Sequence, residues 1–596
     1  MEPTDIKDPE YFHKVVDCQY ACPAHTPVPE YIRLIAAERY SDAYMINWES
    51  NVFPGVLGRT CDRPCEPACR RGRVEDQPVA ICRLKRVAAD YKDDDIQSRM
   101  PKAPAIKNGK RIALVGAGPA SLTVARDLAP LGYEIDLYDE QELGGGFMRS
   151  QIPSFRLPES VLNEEVNYIL EIGGITTHYK TFVNSLGNLL DEGYDAVFVG
   201  TGAPRGKDLD SLEGRSEINS NIFIGIDWLA SVAFEHIKSI GRKVLVLGGG
   251  NTAMDCCRTS RRLGGNDVKV VVRSPFDELK ASPWEIEDAQ HEDIPFYPLH
   301  NPKAFIHENG ILKGMLFEKV KAEYKNGKRS LVPTGEPDEF FEADDVIIAI
   351  GQENAFPWIE KNIGVEFDKW GMPVVDKVSF ASTHEKVFFG GDAAFGPKNV
   401  ITAVAHGHQA AISIDLYCNN ENILERPDPM TNLVSQKMGI HEWSYDSSVA
   451  NDERYKVPHA NKAETLINRK KEVELGYDDK LAFKEAQRCL NCDVQTVFTT
   501  DRCIECDACA DICPTSCITF TENGDETDLR GRLRAPAHDL TQDLYISSVL
   551  PTKRVMIKDE DVCLHCGLCA ERCPTAAWDM QRYLYNTAKA GSACYV

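Results

Sequence analysis

Cysteine spacing constrains this chain more than any other feature. Residues 503–514 read Cys503-x-x-Cys506-x-x-Cys509-x-x-x-Cys513-Pro, and residues 563–574 repeat this as Cys563-x-x-Cys566-x-x-Cys569-x-x-x-Cys573-Pro. Two runs of this kind are the ligand pattern of a bacterial two-cluster ferredoxin, in which the fourth cysteine of each run binds the other run's 4Fe–4S cluster. The expected sets are Cys503, Cys506, Cys509 and Cys573 for one cluster, and Cys563, Cys566, Cys569 and Cys513 for the other. Zinc also takes four cysteines, but it does not explain two full runs that each close on Cys-Pro. The segment between the runs is long for a compact loop. It is expected to form a strand-rich arm over residues 519–558, a docking surface.

The 21 cysteines fall in knots along 596 residues, which excludes a short secreted disulfide scaffold and points to metal or redox sites. With 43% apolar and 27% charged residues the chain reads as globular, with room for three to five domains. A net charge of -24 argues against nucleic acid and anionic membrane as partners. The N-terminal stretch carries no apolar core of a signal peptide, and no apolar run approaches the ~20 residues that span a bilayer. A cytoplasmic protein is expected, without membrane insertion.

Two glycine-rich loops follow apolar runs and open helical patterns. The first is Gly116-Ala-Gly118-Pro119-Ala120-Ser121. Its first glycine makes the tight turn, its second lets the backbone approach a pyrophosphate, and the helix N-terminus faces the phosphate charge. Asp139 ends the next apolar run, about 20 residues on, where an acid can hold a ribose hydroxyl. The second loop is Gly248-Gly-Gly250-Asn251-Thr252-Ala253. The next strand pattern ends in Arg273-Ser274, and a cation there favours a 2′-phosphate and hence NADPH. Further on, a buried strand pattern runs into Gly391-Asp392, then Asn399-Val400-Ile401 starts a helix. The acid can bind a ribityl hydroxyl, and the helix N-terminus can stabilise negative charge on a reduced flavin.

Residues 106–420 resemble the small (beta) subunit of bacterial glutamate synthase and its relatives. These include the NADPH half of dihydropyrimidine dehydrogenase and the large subunit of NADH-dependent ferredoxin:NADP oxidoreductase. The matching stretches are Gly145-Gly146-Phe-Met-Arg149, Ile152-Pro-Ser-Phe-Arg-Leu-Pro158, Gly200-Thr201-Gly202-Ala203, Gly250-Asn251-Thr252-Ala253-Met-Asp255, Ala349-Ile-Gly351-Gln352 and Gly391-Asp392. The resemblance implies FAD in the first site and NAD(P)H in the second. Relatives often carry two adjacent arginines where this chain has Arg273 and Ser274, so NADPH and NADH both stay open. Cys256 and Cys257 are adjacent rather than spaced as a redox pair, and are expected to pack inside a helix. No side-chain catalyst is expected, because hydride passes directly from nicotinamide to flavin.

The same family carries a cluster-binding segment ahead of its FAD domain, and Gly58-Arg-Thr-Cys61-Asp-Arg-Pro-Cys65-Glu-Pro-Ala-Cys69 resembles it. Relatives vary in the fourth ligand, some using Glu or Gln. Cys82 is the choice here because iron prefers a thiolate. Cys18 and Cys22 are too few for a cluster. The missing half of the family's N-terminal motif stands at Arg488-Cys489-Leu-Asn-Cys492, so a split set is expected: Cys18, Cys22, Cys489 and Cys492. The alternative is that the two pairs are separate or shared with a partner chain. Four clusters of four use 16 of the 21 cysteines and leave Cys256, Cys257, Cys418, Cys517 and Cys594.

The expected fold class is α/β. Two nested Rossmann-like nucleotide-binding domains lie between an N-terminal helical Fe–S domain and a C-terminal ferredoxin-like α+β domain. Its boundaries are 1–105 for the helical cluster domain, 106–235 and 337–425 for FAD, 236–336 for NAD(P)H, 426–485 for a connector and 486–596 for the ferredoxin domain. The function implied is an oxidoreductase that moves electrons between NAD(P)H and 4Fe–4S clusters via FAD, working with other redox subunits or ferredoxin in a hetero-oligomer. Three alternatives stand beside it. These are a stand-alone or bifurcating NAD(P)H:ferredoxin oxidoreductase, a glutamate synthase small subunit, and an electron-transfer scaffold that does not use nicotinamide.

Overall fold

The computed structural model describes residues 1–218, 220–427, 429–435 and 452–592. Cys594 lies outside the described residues. The chain divides into two compact units, one of Gln97–Leu424 with Pro458–Leu475, the other of Met1–Ile96, Glu425–Val457 and Gly476–Val596.

In the unit built mainly from the middle of the chain, the first sheet is wholly parallel. Its strand order is Val387–Phe389, Ala196–Val199, Arg111–Val115, Glu134–Tyr138, Ile175–His178. The inner strands Ala196–Val199 and Arg111–Val115 are apolar runs buried on both faces, as a sheet covered on both sides requires. A second parallel sheet runs Ile222–Ile224, Asp345–Ile348, Lys243–Leu247, Asp267–Val271, Phe296–Tyr297. An antiparallel sheet of His300–Glu308, Ile311–Lys325, Lys328–Pro333 and Glu339–Glu342 extends this second domain. The two crossings between the domains, Arg205–Gly206 and Gln352–Glu353, pair with each other. The insertion therefore begins and ends at this ribbon and is larger than residues 236–336, because Ile222–Ile224 and Asp345–Ile348 are strands of the second sheet. Part of the expected connector belongs here as well. Arg469 and Lys470 each pair with Glu235 at 2.9 Å.

The other unit corrects a second boundary. The N-terminal helices and the C-terminal ferredoxin segment share one hydrophobic core, which includes Phe12, Tyr31, Leu84, Val497, Met556 and Trp578. Seven short helices from Pro9–Val15 to Ile81–Asp90 form one part. The strand Trp578–Asn586 pairs antiparallel with Val494–Phe498 on one side and Met430–Ser435 on the other. The arm between the cysteine runs holds the strands Ile518–Thr521, Tyr545–Ile546 and Val555–Lys558 and a short helix, Glu526–Arg530.

Arg488 joins the two ends of the chain. Its guanidinium is fully buried and donates to Glu485 (2.8 Å), Gln77 O (2.8 Å), Asp452 O (2.9 Å) and Pro78 O (3.2 Å). Glu485 in turn accepts from Ala80 N at 2.8 Å and Tyr455 N at 3.0 Å. Breaking a buried pair leaves an uncompensated charge, at about 3–5 kcal/mol. Arg488→Met should destabilise this unit by about that amount in urea unfolding; a loss below about 1 kcal/mol would show that the pair is not needed to hold the ends together.

Candidate functional site

The strands of the first sheet end at a cavity of about 410 Å³. Its walls come from Gly116 to Ala120, Tyr138 to Gln141, Gly200 to Pro204, Gly390 to Asp392 and Lys398 to Val400. This is the carboxyl end of an open parallel sheet, where such folds bind nucleotides. Gly116 has φ +92°, and a Cβ there would lie 2.7 Å from Gly200 O, so no other residue fits the turn. Asp139 accepts from Ala117 N (2.6 Å) and Gln141 N (2.8 Å), which locks the loop to the end of the neighbouring strand. Burial raises the carboxyl pKa of Asp139 and of Asp392. Asn399 caps the helix Val400–Cys418 by accepting from Thr402 N at 3.0 Å, and the start of that helix lines the cavity. Gln352 also lines it and donates to Gln151 at 3.0 Å.

Most of the expected first-site residues meet here, namely Gly116, Gly118, Pro119, Ala120, Asp139, Gly146, Thr201, Gly202, Gln352, Gly391, Asp392, Asn399 and Val400. Others do not reach it. Ser121 and Ile401 are buried in helix packing, while Gly145 and Gly351 hold neighbouring backbone through Gly145 N to Ala117 O and Lys207 N to Gly351 O. Arg149 turns away, donating to Gly144 O (2.7 Å) and Asn163 (2.8 Å). Motif reasoning missed Phe147, Phe182, Trp358 and Lys398, which also line the cavity. Phe147 stands inside the quoted Gly145–Arg149 stretch, whereas Phe182, Trp358 and Lys398 sit in none of the quoted motifs.

The second loop repeats the design. Gly248 has φ +138°, and a Cβ there would lie 2.1 Å from Ala349 O. Gly250 caps the helix Asn251–Arg262, with Thr252 and Ala253 in its first turn. Asn251 accepts from Ser282 N at 2.8 Å, tying that turn to the following loop. Arg273 is exposed beyond the strand Asp267–Val271, beside Ser274, and forms no ion pair among the described residues. The two domains are clamped by charge. Arg156 donates to Asp255 at 2.7 Å and 2.8 Å and to Glu285 at 2.5 Å. Arg262 lies 3.8 Å over the Phe155 ring. Cys256 and Cys257 are fully buried in the second domain's core, as expected for packing.

The cysteines form four nests. All 20 described cysteines are free, so their convergence is not disulfide bonding. Cys503, Cys506, Cys509 and Cys573 line one small cavity, matching the expected set. Around Cys566 and Cys569 lie Cys563 and Cys513, the other expected set. Burial pushes the Cys509 thiol up to about 11. Cys517, left over in the sequence, lies 3.5 Å from Cys513.

The N-terminal nests differ from the expected sets by one exchange. Cys18, Cys69, Cys489 and Cys492 line one cavity. Cys22 instead lies with Cys61, Cys65 and Cys82. The helix Asp17–Tyr20 ends before Cys22, so Cys18 and Cys22 are not one helical turn apart on a common face. Cys22 Sγ is 3.4 Å from Thr26 Oγ1 on the other side of the turn. Burial pushes the thiols of Cys61 and Cys489 up to about 12. Lys85 is buried among Cys61, Cys82, Cys22 and Cys65. Burial opposes its charge, but those sulfurs outweigh burial and its pKa is raised. Two groups join the Cys18 nest to the Cys563 nest. His565 pairs through Nδ1 with Cys492 O at 3.1 Å, while Arg70 donates to Cys563 O at 2.7 Å.

Residues 110–407 match the family described as pyridine nucleotide-disulphide oxidoreductase. The chain belongs to that family. Residues 13–96 match the 4Fe-4S cluster family of dihydropyrimidine dehydrogenase domain II, and residues 502–577 a 4Fe-4S dicluster domain. This pyridine nucleotide oxidoreductase is 32% identical over 501 residues to the NADP(+)-dependent formate dehydrogenase subunit beta of Moorella thermoacetica, covering 80% of this chain and 70% of that one. It is 30% identical over 534 residues to the NADPH-Fe(3+) oxidoreductase subunit beta of Geobacter sulfurreducens, covering 82% and 77%. It is thus a flavin-dependent pyridine nucleotide oxidoreductase with 4Fe–4S domains near both ends of the chain. Among the described residues, no cysteine lines the cavity at the first glycine loop.

The two loops should fail separately. Gly116→Ala should release the flavin, seen as loss of protein-bound flavin absorbance. Gly248→Ala should keep the flavin but slow its reduction by NADPH roughly 100-fold, since a misplacement of about 1 Å costs that much. Equal flavin content and equal reduction rates in both variants would contradict this assignment.

Proposed function

We propose that this oxidoreductase passes electrons between NAD(P)H and four 4Fe–4S clusters by way of bound FAD, as the electron-transfer subunit of a larger redox complex. The observation that carries this is the gathering of sixteen free cysteines into four sets of four in a chain that also has two glycine-loop nucleotide sites. The donor sets fit iron–sulfur ligation, which takes four thiolates per cluster. The first cavity fits FAD. Its glycine loop and helix start would hold the pyrophosphate, Asp139 the ribose and Asp392 the ribityl chain. When bound, FAD supplies the conversion between a two-electron hydride and single electrons.

The protein's part is positioning. The helix N-terminus at Asn399 and Val400 lines the cavity and would offer its positive dipole to negative charge on a bound, reduced flavin. The Arg156–Asp255 clamp fixes the nicotinamide loop relative to the flavin loop. Arg273, free of carboxylates, would receive a 2′-phosphate, and both relatives are named for NADP(+) or NADPH. His565 and Arg70 tie Cys492 and Cys563 together, so clusters held by Cys18/Cys69/Cys489/Cys492 and by Cys513/Cys563/Cys566/Cys569 would be neighbours. Electrons would therefore pass between the N-terminal clusters and the ferredoxin pair within this unit.

Both relatives are beta subunits, which supports hetero-oligomeric work with a partner that carries the substrate chemistry. No described helix is long and apolar enough to cross a membrane. The free thiols fit a reducing compartment such as the cytoplasm.

Anaerobic titration with NADPH and with NADH tests this. NADPH should bleach the flavin and then the cluster absorbance, in protein holding about 16 Fe per FAD. Arg273→Ala should weaken NADPH about tenfold and leave NADH unchanged, because one charge-assisted phosphate contact is lost. If neither nicotinamide bleaches the flavin while a reduced ferredoxin does, the chain is a scaffold that does not take hydride.

A further inference from the structure

The helix Ile81–Asp90 is buried along nearly its whole length and carries three basic residues into the core, Arg83, Lys85 and Arg86. Arg86 has a carboxylate, Asp90, at 2.9 Å. Lys85, only 3% exposed, has neither an ion pair nor a hydrogen bond among the described residues. Cys61, Cys82, Cys22 and Cys65 lie around it and act on its charge. Cys82 and Lys85 stand three residues apart, on one face of the helix.

The other buried lysine beside cysteines is different. Lys558 Nζ donates to both oxygens of Glu560, at 2.8 Å and 2.7 Å, and to Thr496 at 2.6 Å. Its charge is balanced before any cluster is considered. The charge on Lys85 is not, and a buried ammonium without a counter-ion is costly unless an anion lies beside it. A 4Fe–4S core with four thiolates is such an anion, and gains one more negative charge on reduction. A fixed cation in a low-dielectric pocket stabilises the reduced form more than the oxidised one.

We propose that Lys85 is the counter-charge of the cluster held by Cys22, Cys61, Cys65 and Cys82, and that it makes this cluster the easiest of the four to reduce. Electrons entering the chain then collect there before they move on. Lys85 acts through the cluster and touches no substrate; it is a positioning charge, not a catalytic residue. This rests on the reading that the four cysteines hold a cluster.

The test is an EPR-monitored redox titration of the full chain, with iron analysis. The cluster signal is identified as the one lost in Cys61→Ser. In Lys85→Met, with iron content unchanged, the reduced-to-oxidised ratio of that signal at a fixed potential should fall roughly tenfold, a shift of about 59 mV for one electron. The other signals should hold their place, and Lys85→Arg should restore the wild-type ratio. An unchanged ratio in fully loaded Lys85→Met overturns the proposal. If Lys85→Met does not load, Lys85→Gln is measured in its place. Loss of about four iron atoms from both neutral variants overturns it too, by making the side chain a condition of cluster assembly rather than of its potential. If Cys61→Ser loses no iron, the cluster reading itself has failed, whatever Lys85 does.

Discussion

Four thiolates must converge on an iron–sulfur cluster, and one set of four cysteines in this chain converges from distant parts of the sequence. Cys18 and Cys69 stand in the N-terminal segment, Cys489 and Cys492 after the nucleotide domains, and one cavity is lined by all four. Much of that unit follows from this convergence. The N-terminal helices share one core with Val494, Val497 and Trp578 of the C-terminal strands. Arg488, adjacent to Cys489, is where the junction is electrostatically sealed, with a buried carboxylate and three backbone carbonyls as acceptors.

The nucleotide-binding unit is shaped by a different constraint. One domain interrupts the other, so the chain must leave and return at nearly one point. Pairing Arg205–Gly206 with Gln352–Glu353 satisfies both backbones at the crossing. Gln352, on the returning strand, lines the first cavity and donates to Gln151, so the crossing is also part of the site. The buried ionic clamp of Arg156, Asp255 and Glu285 is a stronger restraint than surface pairs could supply, because its charges are desolvated and would be left unpaired by separation.

Much of this was legible in the sequence, for identifiable reasons. A glycine at positive φ with a backbone oxygen in the place of its Cβ leaves a direct trace, so Gly116 and Gly248 marked both loops. The spacing Cys-x-x-Cys-x-x-Cys is local geometry, and Cys503, Cys506, Cys509 and Cys573 do line one cavity. What spacing could not show was which nest Cys22 and Cys69 would join. Each lies four residues from a cysteine of the opposite nest, and the choice depends on where a short helix ends. The limits of the inserted domain were also hidden, since Ile222–Ile224 and Asp345–Ile348 are short apolar strands that either sheet could have taken. Arg149 fits the family pattern but supports the loop from behind, because Gly144 O and Asn163 satisfy it. Lys85 reads in sequence as one more helix cation, and only its burial among thiols sets it apart.

The claim that the two ends of the chain build one cluster is most directly tested by iron analysis and EPR of Cys69→Ser, Cys489→Ser and the double variant. The account predicts that each single change removes the same signal, and that the double variant lacks no more than about four iron atoms, one cluster's worth. Loss of about eight from the double variant, with Cys69→Ser removing the signal that Cys61→Ser removes, would contradict it.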